Sequence, residues 1–306
     1  MKLLLTGAFR YTDAQLSALR ALGADLVFQA DERGERETDF GTVEAVVCNG
    51  LFLTHPPENF PALRFVQATS AGLERLPLDY IEEHNIELHN ARGVYSVPMA
   101  EWAIGAVLSL YKHTNRFCVN QKNHLWEKDR TVRELAGDTV CIVGCGSVGT
   151  ECAKRFQAFG AKVIAADIVN PQSAFYDEYI SMDNLEQAVS QADVVVLTLP
   201  LTDSTRGLFD AELLATFKKG TILVNIARGA VVKEKDLTTA LVNGTLGGAV
   251  LDVFEKEPLP ENSPLWDMEH VLITPHNSFV SPKNNERLFR LIYNNFKTFT
   301  EKGENL

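Results

Sequence analysis

The sequence predicts an α/β protein with two parallel-sheet domains, one inserted into the other. Three observations carry this. Short apolar runs alternate with amphipathic stretches along most of the chain, the pattern of parallel strands joined by crossover helices. A glycine turn of the kind that leads from a strand into a helix lies mid-chain, at 144–149, with a complete strand-and-helix region before it. A last helical pattern returns at the C-terminus. The spacing therefore predicts a first domain of residues 1–97 plus 276–306 and an inserted domain of residues 98–275.

The elements follow in order. Lys2–Leu5 reads as a strand. Thr12 and Gln15 have the spacing of a capping box, opening a helix with Leu16, Leu19 and Leu22 on one face and Gly23 as its stop. Asp25–Phe28, Ala45–Cys48, Arg64–Ala68 and Ile86–Leu88 are short strands. Residues 31–41 are charged and read as a solvated loop. Pro56, Pro57 and Pro61 mark another connection. A long apolar helix runs from about Pro98 to Tyr111, with proline suited to its first turn. The stretch from Asn115 to Arg133 is polar. Further strands are expected at Val140–Val143, Lys162–Asp167, Asp193–Leu199, Thr221–Ile226, Gly247–Val253 and Val271–Thr274. Helices are expected at Glu151–Phe159, Asp210–Phe217, Asp236–Val242 and Pro282–Lys302, the last with Leu288, Leu291, Ile292, Phe296 and Phe299 at helical spacing.

The mid-chain turn reads Gly144-Cys-Gly146-Ser-Val-Gly149 between a strand and a helix. This is the dinucleotide-binding fingerprint of a Rossmann domain. Gly144 permits the turn, Gly146 lets backbone amides approach a pyrophosphate, and Gly149 lets the helix pack on the strand. The helix N-terminus then presents unpaired N–H groups to phosphate. Asp167 follows Gly149 by 18 residues, near where a carboxylate accepts from a ribose 2′-OH. The next four residues, Ile168 to Pro171, offer no arginine to a 2′-phosphate, so NAD is the expected cofactor.

Composition narrows the class further. The chain has 306 residues, is 45% hydrophobic and 23% charged, and carries a formal net charge of −11. Such acidity argues against nucleic acid and anionic membranes as partners. The apolar part of the N-terminus is too short for a signal peptide and reads as a strand. The five cysteines are odd in number and no histidine cluster completes a metal set, so reduced thiols in a cytoplasmic protein are expected, with no metal site. Cys145, inside the glycine loop, is the one thiol placed for a redox-sensitive cofactor site.

Three residues near strand ends have the chemistry of a keto-acid reductase: Arg228 in Asn225-Ile-Ala-Arg-Gly229, Glu257 in Asp252-Val-Phe-Glu-Lys-Glu-Pro258, and His276 in Thr274-Pro-His-Asn277. A cation can hold a carboxylate and polarise a ketone, an imidazolium can protonate the oxygen as hydride arrives, and a carboxylate can favour the imidazolium. Taken singly, an arginine or histidine at a strand end ordinarily caps or meets solvent; their joint order beside a cofactor loop gives them weight.

These segments, with Ala68-Thr-Ser-Ala-Gly72, Tyr95-Ser-Val-Pro-Met-Ala-Glu101, Glu134-Leu-Ala-Gly137, Leu199-Pro-Leu-Thr202 and Ser263-Pro-Leu-Trp266, resemble the NAD-dependent D-isomer-specific 2-hydroxyacid dehydrogenase family over nearly the whole chain. The resemblance implies that Arg228 binds the substrate carboxylate and keto oxygen, that His276 is the acid/base, and that Glu257, rather than Glu255, pairs with it. It implies that Ser70, Ala71 and Gly72 form a turn offering backbone N–H groups to the carboxylate. Asp252 would orient the nicotinamide carboxamide, and Ser147 and Val148 would meet the pyrophosphate. Leu199, Pro200, Thr205, Ile226, Ala227 and His276 fall among the implied cofactor contacts. Tyr95 either hydrogen-bonds substrate or packs, and packing is the commoner fate of such a tyrosine. The chain departs from the family at Trp102 and at Asn277 and Phe279 after the histidine.

The resemblance further implies a homodimer joined through the cofactor domains. The insertion places the expected cleft between two domains, at the carboxyl ends of the strands, lined by Asn49–Leu53, Ser70–Leu73 and Tyr95–Met99. Those segments hold no cation, though Arg10, Arg75 and Arg92 are near in sequence, so a small unphosphorylated 2-keto acid is the expected substrate. Two rivals remain: an NAD-sensing corepressor-type binding protein on the same fold, and a formate-type dehydrogenase, in which glutamine usually stands where Glu257 is.

Overall fold

The structure is a computed structural model that describes residues 1–303. The chain begins β1 (Lys2–Thr6), α1 (Asp13–Ala21), β2 (Asp25–Gln29), β3 (Ala45–Cys48), β4 (Phe65–Ala68), α2 (Leu78–Glu83) and β5 (Glu87–His89). It continues with α3 (Ser96–Tyr111), α4 (Thr114–Lys122), β6 (Thr139–Val143), α5 (Ser147–Ala158), β7 (Lys162–Asp167), β8 (Glu178–Ser181) and α6 (Leu185–Val189). Then come β9 (Val194–Leu197), α7 (Ala211–Ala215), β10 (Thr221–Asn225), α8 (Glu234–Val242), β11 (Leu246–Leu251), β12 (Val271–Ile273) and α9 (Asn284–Gly303).

Two compact units result, one of residues 1–95 with the segment from Ser281 onward, the other of residues 96–280. The junctions sit two residues earlier and five later than expected. Residues 276–280 thus belong to the second unit, because the backbone N–H of His276 donates to the Asp252 carbonyl and those of Asn277 and Ser278 to the Asp252 carboxylate. The expected bound at residue 306 lies outside the described residues.

In the first unit five parallel strands are ordered β2-β1-β3-β4-β5. The inner strands β3 and β4 are buried throughout, as a parallel sheet covered on both faces requires. One face packs on α9 through Leu288, Ile292, Phe296 and Phe299; the other covers a cluster of Phe40, Leu51, Phe60 and Ile81. The Thr12 capping box that opens α1 is present with both reciprocal bonds. The segment 31–41 is the largely exposed loop expected, and it is gathered around buried Gln29. Its amide donates to the carbonyls of Asp31 and Glu35, and its oxygen accepts from Glu37 N.

In the second unit seven parallel strands are ordered β12-β11-β10-β9-β6-β7-β8. α3 and α5 share one covering layer through Ala103, Val107, Cys152 and Phe156; α6, α7 and α8 contribute to the opposite core. The strand order reverses between β6 and β9, so the carboxyl ends of those strands form the crevice where such sheets take ligands. Four elements lacked a clear periodic signal: α2, α4, β8 and α6. In α4, within the stretch expected only to be polar, no residue is buried, so no apolar stripe marks it. β8 is a short edge strand. Among the described residues no helix is long and apolar enough to cross a membrane.

Candidate active site

The glycine loop leaves β6 at Gly144, whose φ is +92°. A Cβ there would lie 2.6 Å from Leu199 N, and one on Gly149 would lie 2.3 Å from Gly144 O. Both glycines are therefore fixed by the chain's own close approach. Gly146 is different: a Cβ on it would meet nothing within 4 Å. Gly146 also starts α5 without a side-chain cap. The loop thus keeps an open approach to the first-turn N–H groups of α5, at Ser147, Val148 and Gly149, which suits a pyrophosphate.

Asp167 ends β7 on the neighbouring strand. One of its oxygens accepts from Cys145 N, the other from Ile168 N at 2.7 Å. The carboxylate is thereby oriented beside the loop with acceptor capacity to spare, since each oxygen has two lone pairs. Ile168 and Val169, which follow, are 80% and 67% exposed and apolar. The residues present fit a dinucleotide lacking a 2′-phosphate.

Other expected cofactor contacts divide by burial. Leu199, Ile226 and Ala227 have core side chains, so only their backbones can face a ligand. Pro200 and Thr205 lie in a closed turn in which the Thr205 hydroxyl donates to Pro200 O at 2.7 Å and accepts from Thr202 N at 2.8 Å. Cys145 is 9% exposed, and burial pushes its thiol up to about 12. A thiol so protonated is a poor nucleophile.

The three chemical candidates belong to this same unit. Arg228 follows β10 in a turn locked by Asn225, whose amide donates to Arg228 O and whose oxygen accepts from Ala227 N, each at 3.1 Å. The next residue must be glycine, because a Cβ on Gly229 would overlap the Phe254 carbonyl carbon at 1.9 Å. Arg228 Nη1 donates to Ala227 O at 2.8 Å.

Glu257 is held at both ends of its carboxylate. Oε1 accepts from Phe254 N at 3.1 Å, and Oε2 lies 2.9 Å from His276 Nδ1. Glu255 is engaged elsewhere, accepting from Glu234 N. With Nδ1 taken by Glu257, the His276 nitrogen able to exchange a proton outward is Nε2. His276 itself has φ +52°, a left-handed conformation that costs a non-glycine residue about 1–3 kcal/mol.

Asp252 maintains that turn. It is 1% exposed, and its carboxylate accepts from Thr274 Oγ1 at 2.5 Å, Asn277 N at 2.7 Å and Ser278 N at 3.0 Å. Its side chain is thus committed to the 274–278 turn, a structural duty that the expected contact to a carboxamide does not include. Phe279 was not singled out from the sequence as a site residue, only as a departure. Its ring stands edge-on to the His276 imidazole, with centroids 6.1 Å apart.

In the first unit, Ser70 Oγ donates to Gly72 O at 2.7 Å, and Asn90 Nδ2 donates to Ala71 O at 2.8 Å, fixing the turn. The Tyr95 hydroxyl donates to Thr69 O. Leu51 is fully buried and belongs to the core rather than to the pocket wall expected of it, while Phe52 is half-buried and packs on Phe60 at 5.5 Å. Leu53 is 54% exposed. Arg33 was missed: its Nε and Nη2 each lie 3.7 Å from the place a Gly50 Cβ would take.

A family model described as "D-isomer specific 2-hydroxyacid dehydrogenase, NAD binding domain" matches residues 104–278. The chain belongs to that family. Its second unit is therefore an NAD-binding domain, and the protein is an NAD-dependent oxidoreductase of 2-hydroxy acids. It is 36% identical over 217 residues to a hydroxypyruvate reductase of Thermotoga maritima, covering 70% of each chain. It is 34% identical over 244 residues to an (S)-sulfolactate dehydrogenase of Chromohalobacter salexigens, covering 78% of each. It also matches the crystal structure of a D-isomer specific 2-hydroxyacid dehydrogenase family protein from Aeromonas salmonicida, with TM-score 0.82 and 32% identity over 98% of this chain and 96% of the other. Relatives named as reductases and dehydrogenases support the dehydrogenase reading over a corepressor.

Proposed function

We propose that this dehydrogenase reduces a small, unphosphorylated 2-keto acid, using NADH in preference to NADPH. The observation that carries the reading is the His276–Glu257 pair at 2.9 Å, in the same NAD-binding unit as Arg228. When bound, the nicotinamide supplies the hydride. His276 Nε2 gives its proton to the keto oxygen, while Glu257 accepts from Nδ1–H and balances the imidazolium charge. Glu257 stays in place because Phe254 N anchors its other oxygen. Arg228 pairs its planar guanidinium with the substrate carboxylate and the developing alkoxide. Ala71 and Gly72 offer backbone N–H groups to the carboxylate, and Tyr95, bonded to Thr69 O, stabilises the first unit rather than touching substrate.

The substrate class is supported by Glu257, which is not the glutamine of formate enzymes, and by relatives named hydroxypyruvate reductase and (S)-sulfolactate dehydrogenase. The test is a steady-state screen of glyoxylate, hydroxypyruvate, pyruvate, longer 2-keto acids and 3-phosphohydroxypyruvate, each with NADH and NADPH. The highest kcat/KM is expected for an unphosphorylated acid; a higher value for the phosphorylated one would overturn the substrate class. No turnover with any 2-keto acid would favour the binding-protein reading.

We also infer a homodimer joined through the NAD-binding unit, working in the cytoplasm. Trp126, 96% exposed, lies with exposed Leu125, Val119 and Phe117 along the α4 region. An apolar strip of this kind on an acidic protein suits a second copy better than water. The free cysteines suit a reducing compartment.

A further inference from the structure

Outside the catalytic trio, one carboxylate is more fully engaged with backbone than any charge-pairing role would need. Glu32 follows β2. Its Oε1 accepts from Thr6 Oγ1 at 2.7 Å and from Asn49 N at 2.7 Å, and its Oε2 accepts from Gly50 N at 2.6 Å. Thr6 ends β1, and Asn49 and Gly50 leave β3. The strand order of the first unit reverses between β1 and β3, and the crevice outside such a reversal is where α/β sheets meet their ligands.

Glu32 is fixed from behind as well. Buried Gln29 gathers Asp31, Glu35 and Glu37 around itself, so the segment bearing Glu32 has a set path. Among the described residues no cation pairs with Glu32 within 4 Å. Its charge is held by neutral N–H and O–H donors through charge-assisted bonds. A fixed negative charge thus stands at the exit of β3. It tethers the segment Asn49–Leu53, in which Leu51 is sunk into the core and Leu53 is exposed.

We propose that Glu32 is a positioning residue for substrate selection. It holds the segment after β3 in place, and its charge discriminates against 2-keto acids bearing a second anionic group. This rests on the reading of the chain as a 2-keto acid reductase and narrows its substrate class. Arg33, beside Gly50, is the obvious counter-candidate, since a guanidinium there would welcome the anion that Glu32 repels.

The test compares Glu32→Gln, Glu32→Asp and Arg33→Ala with the wild type. Two measurements are made: kcat and KM for a monoanionic acid (pyruvate) and a dianionic one (2-oxoglutarate), and amide hydrogen exchange over residues 47–54 without substrate. In Glu32→Gln, KM for pyruvate should rise about tenfold with kcat within twofold, as expected for one charge-assisted bond lost away from the reacting atoms. The ratio of kcat/KM for the dianion over the monoanion should also rise about tenfold, and Asn49 and Gly50 should exchange faster. Glu32→Asp keeps the charge but not the reach, so it should loosen the amides while keeping the discrimination. A Glu32→Gln variant with KM, ratio and exchange all within twofold of wild type would overturn the proposal. So would a ratio that moves only in Arg33→Ala. If the wild type reduces no 2-keto acid, the functional reading falls with the selectivity; exchange at Asn49 and Gly50 then decides the tether by itself.

Discussion

At the scale of the residue, the proposed proton donor His276 is also a strained one. Its left-handed backbone is held because Asp252 accepts on both sides of it, and its ring is aimed because Glu257 is pinned to Phe254 N. His276→Asn should lower kcat by about 10²–10⁴-fold while NADH binding, measured by fluorescence titration, stays near wild type. Glu257→Gln keeps the shape but removes the charge facing His276 Nδ1, so kcat for reduction should fall by about tenfold or more; an unchanged kcat would remove Glu257 from the mechanism. Arg228→Lys keeps the charge but loses the planar fork. Its kcat/KM for 2-keto acids should drop by about 10²-fold or more, and near-normal kinetics would mean that Arg228 does not hold substrate. Arg228, Glu257 and His276 were legible as chemistry-bearing types near strand ends. Asp252 was legible as a residue but not in its structural duty, because a buried acceptor for a turn leaves no periodic trace. Glu32 was lost in a run of charges, and only the fold shows which of those charges faces inward.

At the scale of the element, the proposed site residues follow strand ends. β6 ends in the glycine loop, β7 in Asp167, β10 in the Arg228 turn and β11 in Asp252. Because β7 ends in an acid and continues into apolar Ile168 and Val169, kcat/KM should be at least about tenfold higher with NADH than with NADPH, and parity in a steady-state comparison would refute this. The opposite ends of the strands carry stability. Asp193, just before β9, accepts from Thr139 N at 3.0 Å and from Lys218 Nζ at 2.5 Å. Burial opposes its ionisation, but Lys218, Thr139 N and Arg133 outweigh it and hold the carboxyl below the usual range. A depressed folded-state value means that the contribution is present above the unfolded value of about 3.9 and is lost as pH falls through the folded one. Asp193→Asn should therefore cost about 1–2 kcal/mol in urea unfolding at pH 7, with the gap to wild type closing toward pH 3. A gap independent of pH would assign the loss to packing instead. Strands with β-branched runs, such as β9 and β10, could be read from sequence to within a residue or two. α4 and β8 could not, since neither has a buried stripe or an unbroken apolar run to betray it.

At the scale of the whole molecule, the order of units along the chain was legible from the position of the glycine loop, with junctions displaced by a few residues because hydrogen bonds, not composition, decide where 276–280 belong. The proposed dimer makes a separate prediction. Sedimentation of the wild type should give twice the mass of one chain, and Trp126→Asp should shift the mass toward the monomer, by about tenfold or more in Kd if the indole is a central anchor. An unchanged mass distribution would place the interface elsewhere.

The first unit is built from both ends of the chain: its sheet comes from residues 2–89, while one side of its core is α9. During synthesis the second unit, a continuous segment, emerges complete while the first still lacks Leu288, Ile292, Phe296 and Phe299. Phe65, which packs on Phe296 and Phe299, stays uncovered until α9 has left the ribosome. The nascent protein therefore passes through a stage in which its NAD-binding half can be native and its other half cannot, and the final helix decides when the molecule becomes whole.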